Sequence, residues 1–234
     1  MPDGQLVDTP QDNFEAALKP VVYGCILCGG QSRRMHYRDK AQVLLNGSPL
    51  LKRVFERLAP QVKGVVLSVN NPADIHRSLG IPLIEDQLPG QLGPLVGILS
   101  AMEYVATNDP SAQYLLSVAT DTPFFPRDLV GQLLKYSASD TKPRLSVCAS
   151  NEREHPTMAL WPMHLRPALK DYLLSGKRKL MAFTEQYDPA IVHFTGVFIN
   201  GLEMDPFFNI NQPDDLDLAL MVDEALSAYE AKME

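Results

Sequence analysis

The residues with the clearest chemical potential lie between Ile26 and Lys40. An apolar run containing Val21, Val22, Cys25, Ile26 and Leu27 reads as a buried parallel strand, and Gly29-Gly30 then lets the chain turn and expose its amide groups. Arg33, Arg34, Arg38 and Lys40 follow as partners for phosphate oxygens. A strand that ends in a glycine turn and a set of cations is a grip for a nucleotide's phosphates. An aspartate facing that grip, Asp121, supplies the oxygen ligand that magnesium takes alongside phosphates and water. Phosphoryl-transfer chemistry builds charge on phosphate oxygens, so the site needs electrostatics and alignment more than a covalent nucleophile. Arg34 and Lys40 are the candidate neutralising charges and Asp121 the candidate metal ligand.

Two familiar nucleotide loops do not fit. A Walker loop needs Gly-Lys-Ser/Thr at a helix start, whereas Lys40 is followed by Ala41. A dinucleotide fingerprint needs three closely spaced glycines, and this loop has Gly29 and Gly30 alone. The stretch Leu27-Cys28-Gly29-Gly30-Gln31-Ser32-Arg33-Arg34-Met35, closed by Asp39-Lys40, instead resembles the signature of nucleotidyltransferases that attach NTP-derived nucleotides to small phosphorylated acceptors.

The elements that must position these residues alternate between extended and helical patterns, which predicts an α/β fold: a three-layer, doubly wound, mostly parallel sheet of Rossmann-like nucleotidyltransferase type. Ser48-Pro49 reads as an N-cap and first-turn proline before the helical face of Leu50, Leu51, Val54, Phe55 and Leu58. Val65–Val69 is the second strand. Ile81-Pro82-Leu83-Ile84 is an edge strand ending at Glu85-Asp86, and Gly93-Pro94 opens a helix. Tyr114–Ala119 is a central strand that runs into Thr120-Asp121-Thr122-Pro123. Strands follow near 145–149 and 157–161, then a helix over 165–174 stopped by Gly176 and a terminal helix after Pro213, expected to pack on the sheet. Ligands of open α/β sheets bind outside the strands' carboxyl ends, where Gly29, Asp86 and Asp121 would meet.

Composition narrows the function class. A chain of 234 residues at 45% apolar content can bury a sizeable core without splitting. Residues 1–19 are expected to form a flexible extension and residues 20–234 one domain, with a nucleotide half over about 20–135 and an acceptor half over about 136–234. The net charge of −7 disfavours nucleic acid and anionic membranes, and the first residues lack the basic and apolar regions of a leader. The expected setting is cytoplasmic. Three cysteines, Cys25, Cys28 and Cys148, suit a reducing compartment, and Cys25 and Cys28 read as structural because their Cys-x-x-Cys spacing closes a strand rather than opening a helix.

Motifs from residue 24 to 215 resemble the molybdenum cofactor guanylyltransferases, in the same order: the Gly-Gly loop, Asn46-Gly47-Ser48-Pro49-Leu50, Ile84-Glu85-Asp86, Gly93-Pro94-Leu95-Val96-Gly97, Asp121-Thr122-Pro123, Glu154-His155-Pro156-Thr157 and Asn209-Ile210-Asn211-Gln212-Pro213. The resemblance implies a magnesium-dependent reaction of GTP with molybdenum-loaded molybdopterin that yields the guanine dinucleotide cofactor and pyrophosphate. It also implies roles. Leu27, Cys28, Gly29 and Gly30 match the loop that meets the nucleotide, Lys40 its phosphate-binding lysine, Asp86 a nucleotide-binding aspartate and Asp121 the magnesium ligand. Gly93 to Gly97 match the segment near guanine. His155, Asn209 and Asn211, with Lys177 and Arg178, are candidates for the pterin side. The implied partners are GTP and molybdopterin, with molybdopterin-loading proteins or molybdoenzyme chaperones, in a monomer or weak homo-oligomer.

This chain departs from the family pattern at His36-Tyr37, where relatives place glycine, and at Ser68, where a nucleotide-binding asparagine is typical. CTP-using chemistry, on molybdopterin or another phosphorylated acceptor, is therefore the alternative reading, and a non-catalytic cofactor carrier is the alternative outside enzymes. Single residues keep alternatives too. Asp121 and Asp86 can be turn and strand-end groups, Asn209 and Asn211 turn formers, His155 a partly buried histidine bonded to backbone, and Lys177 and Arg178 a solvated helix end.

Overall fold

The structure is a computed structural model that describes residues 20–29, 39–88, 93–137, 143–199 and 202–230. The candidates Gly30 and Arg34, the departures His36 and Tyr37, and the extension 1–19 lie outside the described residues.

Seven strands form one sheet in the order β5-β4-β1-β6-β8-β7-β9. They are β1 (Val22–Leu27), β4 (Gly64–Ser68), β5 (Leu83–Ile84), β6 (Tyr114–Ala119), β7 (Ser146–Ser150), β8 (Arg153–Pro162) and β9 (Ala190–His193). All neighbours are parallel except β8, which runs antiparallel to both β6 and β7. The chain builds outward from β1 through β4 to β5, which is the sheet edge that Pro82 foretells, and then returns to the other side of β1 as β6. This reversal opens a crevice at the carboxyl ends of β1 and β6.

Strand residues alternate between two apolar layers, as a sheet covered on both faces requires. Val22, Ile26, Leu116, Val118 and Leu160 pack on one face with α1 (Leu50–Leu58) and α4 (Leu129–Ser137). Cys25, Leu27, Leu115, Ala159 and Trp161 pack on the other with α3 (Pro94–Asn108), α5 (Arg166–Leu174) and α6 (Leu180–Thr184). A one-turn helix, α2 (Asp74–Arg77), lies between β4 and β5.

Two expectations are corrected. Ser48 is not an N-cap: Ser48–Pro49 form the strand β3, paired with β2 (Leu44–Leu45) around an Asn46-Gly47 turn in which both φ angles are positive, at 48° and 75°. That geometry is the two-residue hairpin turn that Asn-Gly favours. Pro49 itself precedes the helix, which begins at Leu50. The last helix, α7 (Pro213–Glu230), packs beside the hairpin, and no main-sheet strand residue joins its apolar cluster among the described residues. Its Ala219 and Val222 join Val43, Leu45, Leu50, Phe124, Met204 and Ile210 in a third apolar cluster beside the hairpin. Asp223 fixes the helix there, accepting from Asn46 Nδ2 at 2.6 Å and from both terminal nitrogens of Arg53, with Nη2 at 2.8 Å. The chain reaches α7 through β10 (Val197–Ile199) and β11 (Leu202–Met204), an antiparallel pair.

Candidate active site

Two parallel strands end side by side at the crevice and are tied together there. The carbonyl of Leu27 accepts from the Thr120 hydroxyl at 2.9 Å and from the Thr120 amide at 3.3 Å. Because the Thr120 hydroxyl spends its hydrogen on Leu27, it must accept from the Cys28 thiol, 2.8 Å away. Burial pushes the Cys28 thiol up to about 12 and Cys25 higher than its ordinary range as well. Both are therefore protonated packing residues, and Cys28 is no nucleophile at neutral pH. A Cβ on Gly29 would meet nothing within 4 Å among the described residues.

Asp121 follows directly, and the sequence placed it correctly at the carboxyl end of a central strand. Its Oδ2 lies 2.6 Å from Lys40 Nζ, and the same ammonium donates to Asn211 Oδ1 at 2.5 Å. Three candidates from distant parts of the chain thus share one centre. The Asp121 carbonyl accepts from the Ile210 amide at 2.9 Å, and Asn209 Oδ1 accepts from the Thr122 hydroxyl at 3.1 Å, so the loop carrying both asparagines is docked on the strand end. Lys40 is the first residue of a 3-10 turn, Lys40–Gln42, whose start is capped by the Asp39 carboxylate accepting from the Ala41 amide at 3.0 Å.

The donors around Asp121 suit magnesium. One carboxylate with its Oδ1 only loosely engaged, 3.5 Å from the Thr122 hydroxyl, is an oxygen ligand of the kind that ion combines with phosphate and water. Among the described residues no three His, Cys, Asp or Glu side chains converge as an all-protein cage. Asp121 would hold the ion, with Lys40 as the adjacent fixed positive charge.

On the other side of β1, Ser68 ends β4 and its carbonyl accepts from the Cys28 amide at 2.9 Å. The Ser68 side chain is buried against Gly97, where a Cβ would collide with Ser68 Oγ and sit 3.3 Å from Leu27. Gly97 thus lets the start of α3 close on the two strand ends. Gly93 precedes that helix at φ 76°, a conformation glycine adopts without penalty, and Pro94 occupies the first helical position. Two residues beyond Ser68, the Asn70 side chain exchanges two hydrogen bonds with Asp86: Nδ2 donates to Asp86 Oδ2 at 2.7 Å and the Asp86 amide donates to Asn70 Oδ1 at 2.8 Å.

Asn209, Asn211 and His155 line one polar cleft of about 300 Å³ with Asp205, Phe207 and Asp215. The cleft abuts the Lys40–Asp121 centre through Asn211. Asp215 holds its rim, accepting from the amides of Asn211 and Gln212 at 2.8 and 3.0 Å. Lys177 and Arg178 are not part of the cleft. Arg178 turns back to the carbonyls of Leu173 and Lys177, and Lys177 sits 5.5 Å from the Tyr172 ring, so both finish α5 as a helix-end pair.

This constellation can be set against known proteins. The family model for the MobA-like NTP transferase domain matches residues 24–190. A molybdenum cofactor guanylyltransferase from a Bradyrhizobium species is 41% identical over 89% of this chain and 94% of its own length, and one from Mesorhizobium japonicum is 36% identical over 88% and 98%. The chain belongs to the molybdenum cofactor guanylyltransferase family. The crystal structure of molybdopterin-guanine dinucleotide biosynthesis protein A from Archaeoglobus fulgidus shares the fold, with a TM-score of 0.64 at 21% identity over 86% of this chain and 98% of that one. A 4-diphosphocytidyl-2C-methyl-D-erythritol synthase from Anaerococcus prevotii shares it at 0.62 and 14% over 88% and 96%.

Four residues of this guanylyltransferase-family site escaped the sequence reading. Asn70 was masked by the focus on Ser68, although its place just beyond a strand end was available as a signal. His76 left no signal: it is buried in α2, accepts from the Ala73 amide through Nδ1 at 2.9 Å, and so carries its proton on Nε2, 3.2 Å from Asp39 Oδ2 without hydrogen-bond alignment. It backs the carboxylate that caps the Lys40 turn. Ser150 and Asp205 carry no motif: Ser150 meets His155 through the β7–β8 register, and Asp205 meets Ser150 by a hydrogen bond from beyond β11.

Proposed function

We propose that this protein transfers GMP from GTP to the terminal phosphate of molybdenum-loaded molybdopterin. An oxygen of that phosphate attacks the α-phosphorus of GTP in line, the bond from the α-phosphorus to the bridging oxygen breaks, and pyrophosphate leaves with the bond's electrons. Magnesium bound at Asp121 would neutralise charge on the phosphates. Lys40 holds a second positive charge at the same point, fixed by Asp121 and Asn211 rather than free to wander, so little reorganisation is needed as charge develops. The loop after β1, beginning at Gly29, would meet the phosphates, and the Asn70–Asp86 pair and the Gly93–Gly97 segment would serve ribose and base.

The observation that carries this reading is Asn211, which joins the charged centre to the polar cleft. A nucleotide at the strand ends and a hydrogen-bonding acceptor in the cleft would meet where the ammonium sits. The name of the relatives supplies the identities of the two substrates. The test is pyrophosphate release with molybdenum-loaded molybdopterin and GTP, and its loss in Asp121→Ala with nucleotide binding followed separately. Release that persists undiminished in Asp121→Ala would refute the assignment of that residue. No helix among the described residues is long and apolar enough to cross a membrane, and we place the activity in the cytoplasm, where its substrates would be found.

A further inference from the structure

His155 is half of a directional hydrogen-bond chain. Ser150 and Arg153 pair across the β7–β8 turn and Cys148 pairs with His155, which leaves Ser150 and His155 as diagonal neighbours on one sheet face. Ser150 Oγ lies 2.7 Å from His155 Nε2 and 2.7 Å from Asp205 Oδ1. Asp205 Oδ1 also accepts from the Phe207 amide at 2.8 Å. A carboxylate only accepts, so the single Ser150 hydrogen goes to Asp205, and Ser150 must in turn accept from His155. The proton of His155 is therefore on Nε2. Burial lowers the pKa of this ring, so at neutral pH it is neutral and Nδ1 carries a lone pair. The Phe207 ring, 5.0 Å away, holds the imidazole in place at the cleft wall.

Among the described residues Nδ1 has no bonding partner, and the one sealed side-chain polar atom without a hydrogen bond is Nε2 of His76. Nδ1 of His155 is thus reachable from the cleft. We infer that Asp205 and Ser150 are positioning residues that fix His155 as a hydrogen-bond acceptor, so that the cleft selects an acceptor substrate presenting a ring N–H or amino donor at that point. This inference rests on the cleft being the acceptor site. A pterin ring carries such donors, whereas an acceptor offering only oxygen lone pairs there would face His155 lone pair to lone pair.

The test combines ring ¹⁵N NMR of the full-length protein, with His155 assigned by its loss in His155→Gln, and kinetics with the acceptor varied at saturating GTP. In the wild-type protein Nε2 should resonate as a protonated nitrogen and Nδ1 as an unprotonated one, and Nδ1 should shift on adding molybdopterin. Ser150→Ala and Asp205→Ala should abolish the tautomer preference and raise the acceptor KM about 10-fold, with GTP affinity unchanged. Asp205→Asn, which can keep an oxygen toward Ser150 and Phe207, should restore most of both. A protonated Nδ1 in the wild type, or an unchanged acceptor KM in a folded Ser150→Ala, would overturn the inference. Absence of turnover in the wild type with every nucleotide would overturn the guanylyl-transfer reading instead, and the NMR shifts alone would then decide the fate of the relay.

Discussion

The nucleotide end and the acceptor end of this site are built on opposite principles. The nucleotide end is a fixed charge pair: Asp121 sits just beyond the carboxyl end of β6, and Lys40, on the 3-10 turn before the β2–β3 hairpin, meets it at 2.6 Å. The acceptor end mixes a neutral imidazole and side-chain amides with Arg153, Asp205 and Asp215 and is assembled from distance, with His155 on an antiparallel strand, Ser150 on its neighbour, Asp205 after β11 and the two asparagines before α7. Phosphoryl chemistry needs fixed charge, which Lys40 presents because Asp121 and Asn211 anchor its ammonium. Reading a heterocycle needs donors and acceptors of known direction, and direction is set only when each group is itself hydrogen-bonded.

If that contrast holds, removing charge at the Lys40–Asp121 centre should reduce rate and removing a hydrogen-bonding group of the cleft should reduce acceptor affinity. The largest effect is expected for Asp121→Ala and Lys40→Ala, each lowering kcat roughly 10²- to 10³-fold while circular dichroism stays native, as for other preorganised charges at developing anions. Unfolding of either variant would make the pair a structural ion pair. Asn211→Ala tests the junction, because it touches both ends. Its acceptor KM should rise about 10-fold and its kcat fall a few-fold as Lys40 loses one of its two anchors. A change confined to GTP binding would move Asn211 out of the acceptor site.

Next in size is a pH effect. Burial, and behind it the charge of Arg153, lowers the His155 pKa against an opposing push from Asp205. The folded protein therefore binds fewer protons here than the unfolded chain, and its stability falls as pH drops from the ordinary histidine value of 6.5 toward the lowered one, with no further change above 6.5. Acceptor KM measured over the same range should rise on the acid side as Nδ1 takes a proton, and His155→Gln should flatten that rise. An acceptor KM independent of pH below 6.5 in the wild type would deny the lone pair its role.

The smallest kinetic effect belongs to a variant that touches neither end. Arg53→Ala strips Asp223 of its guanidinium partner and should cost about 3 kcal/mol in denaturant unfolding, with little change in kcat or KM. A kinetic loss as large as that of Asn211→Ala would show that α7 transmits its position to the asparagine loop.

The same contrast explains what the sequence disclosed. Lys40 was legible from its place in the loop signature, and Gly29, Asp86 and Asp121 were legible because each lies just beyond a strand whose apolar run announces its end. The sheet, its edge at Pro82 and the helix opened by Gly93-Pro94 were legible for the same reason. Ser150 and Asp205 were not, because their meaning comes from cross-strand register and from the return of the chain after β11, which no local pattern encodes. Ser48 was misread because a serine-proline pair fits both a helix start and the return strand of an Asn-Gly hairpin, and tertiary packing of α7 on that hairpin decides between them.

The most direct measurement is pyrophosphate release by the purified protein with molybdenum-loaded molybdopterin and magnesium, comparing GTP, CTP and ATP in parallel. Release that is selective for GTP and dependent on the acceptor is the expected result. Selectivity for CTP, or binding of all three nucleotides without release, would contradict guanylyl transfer.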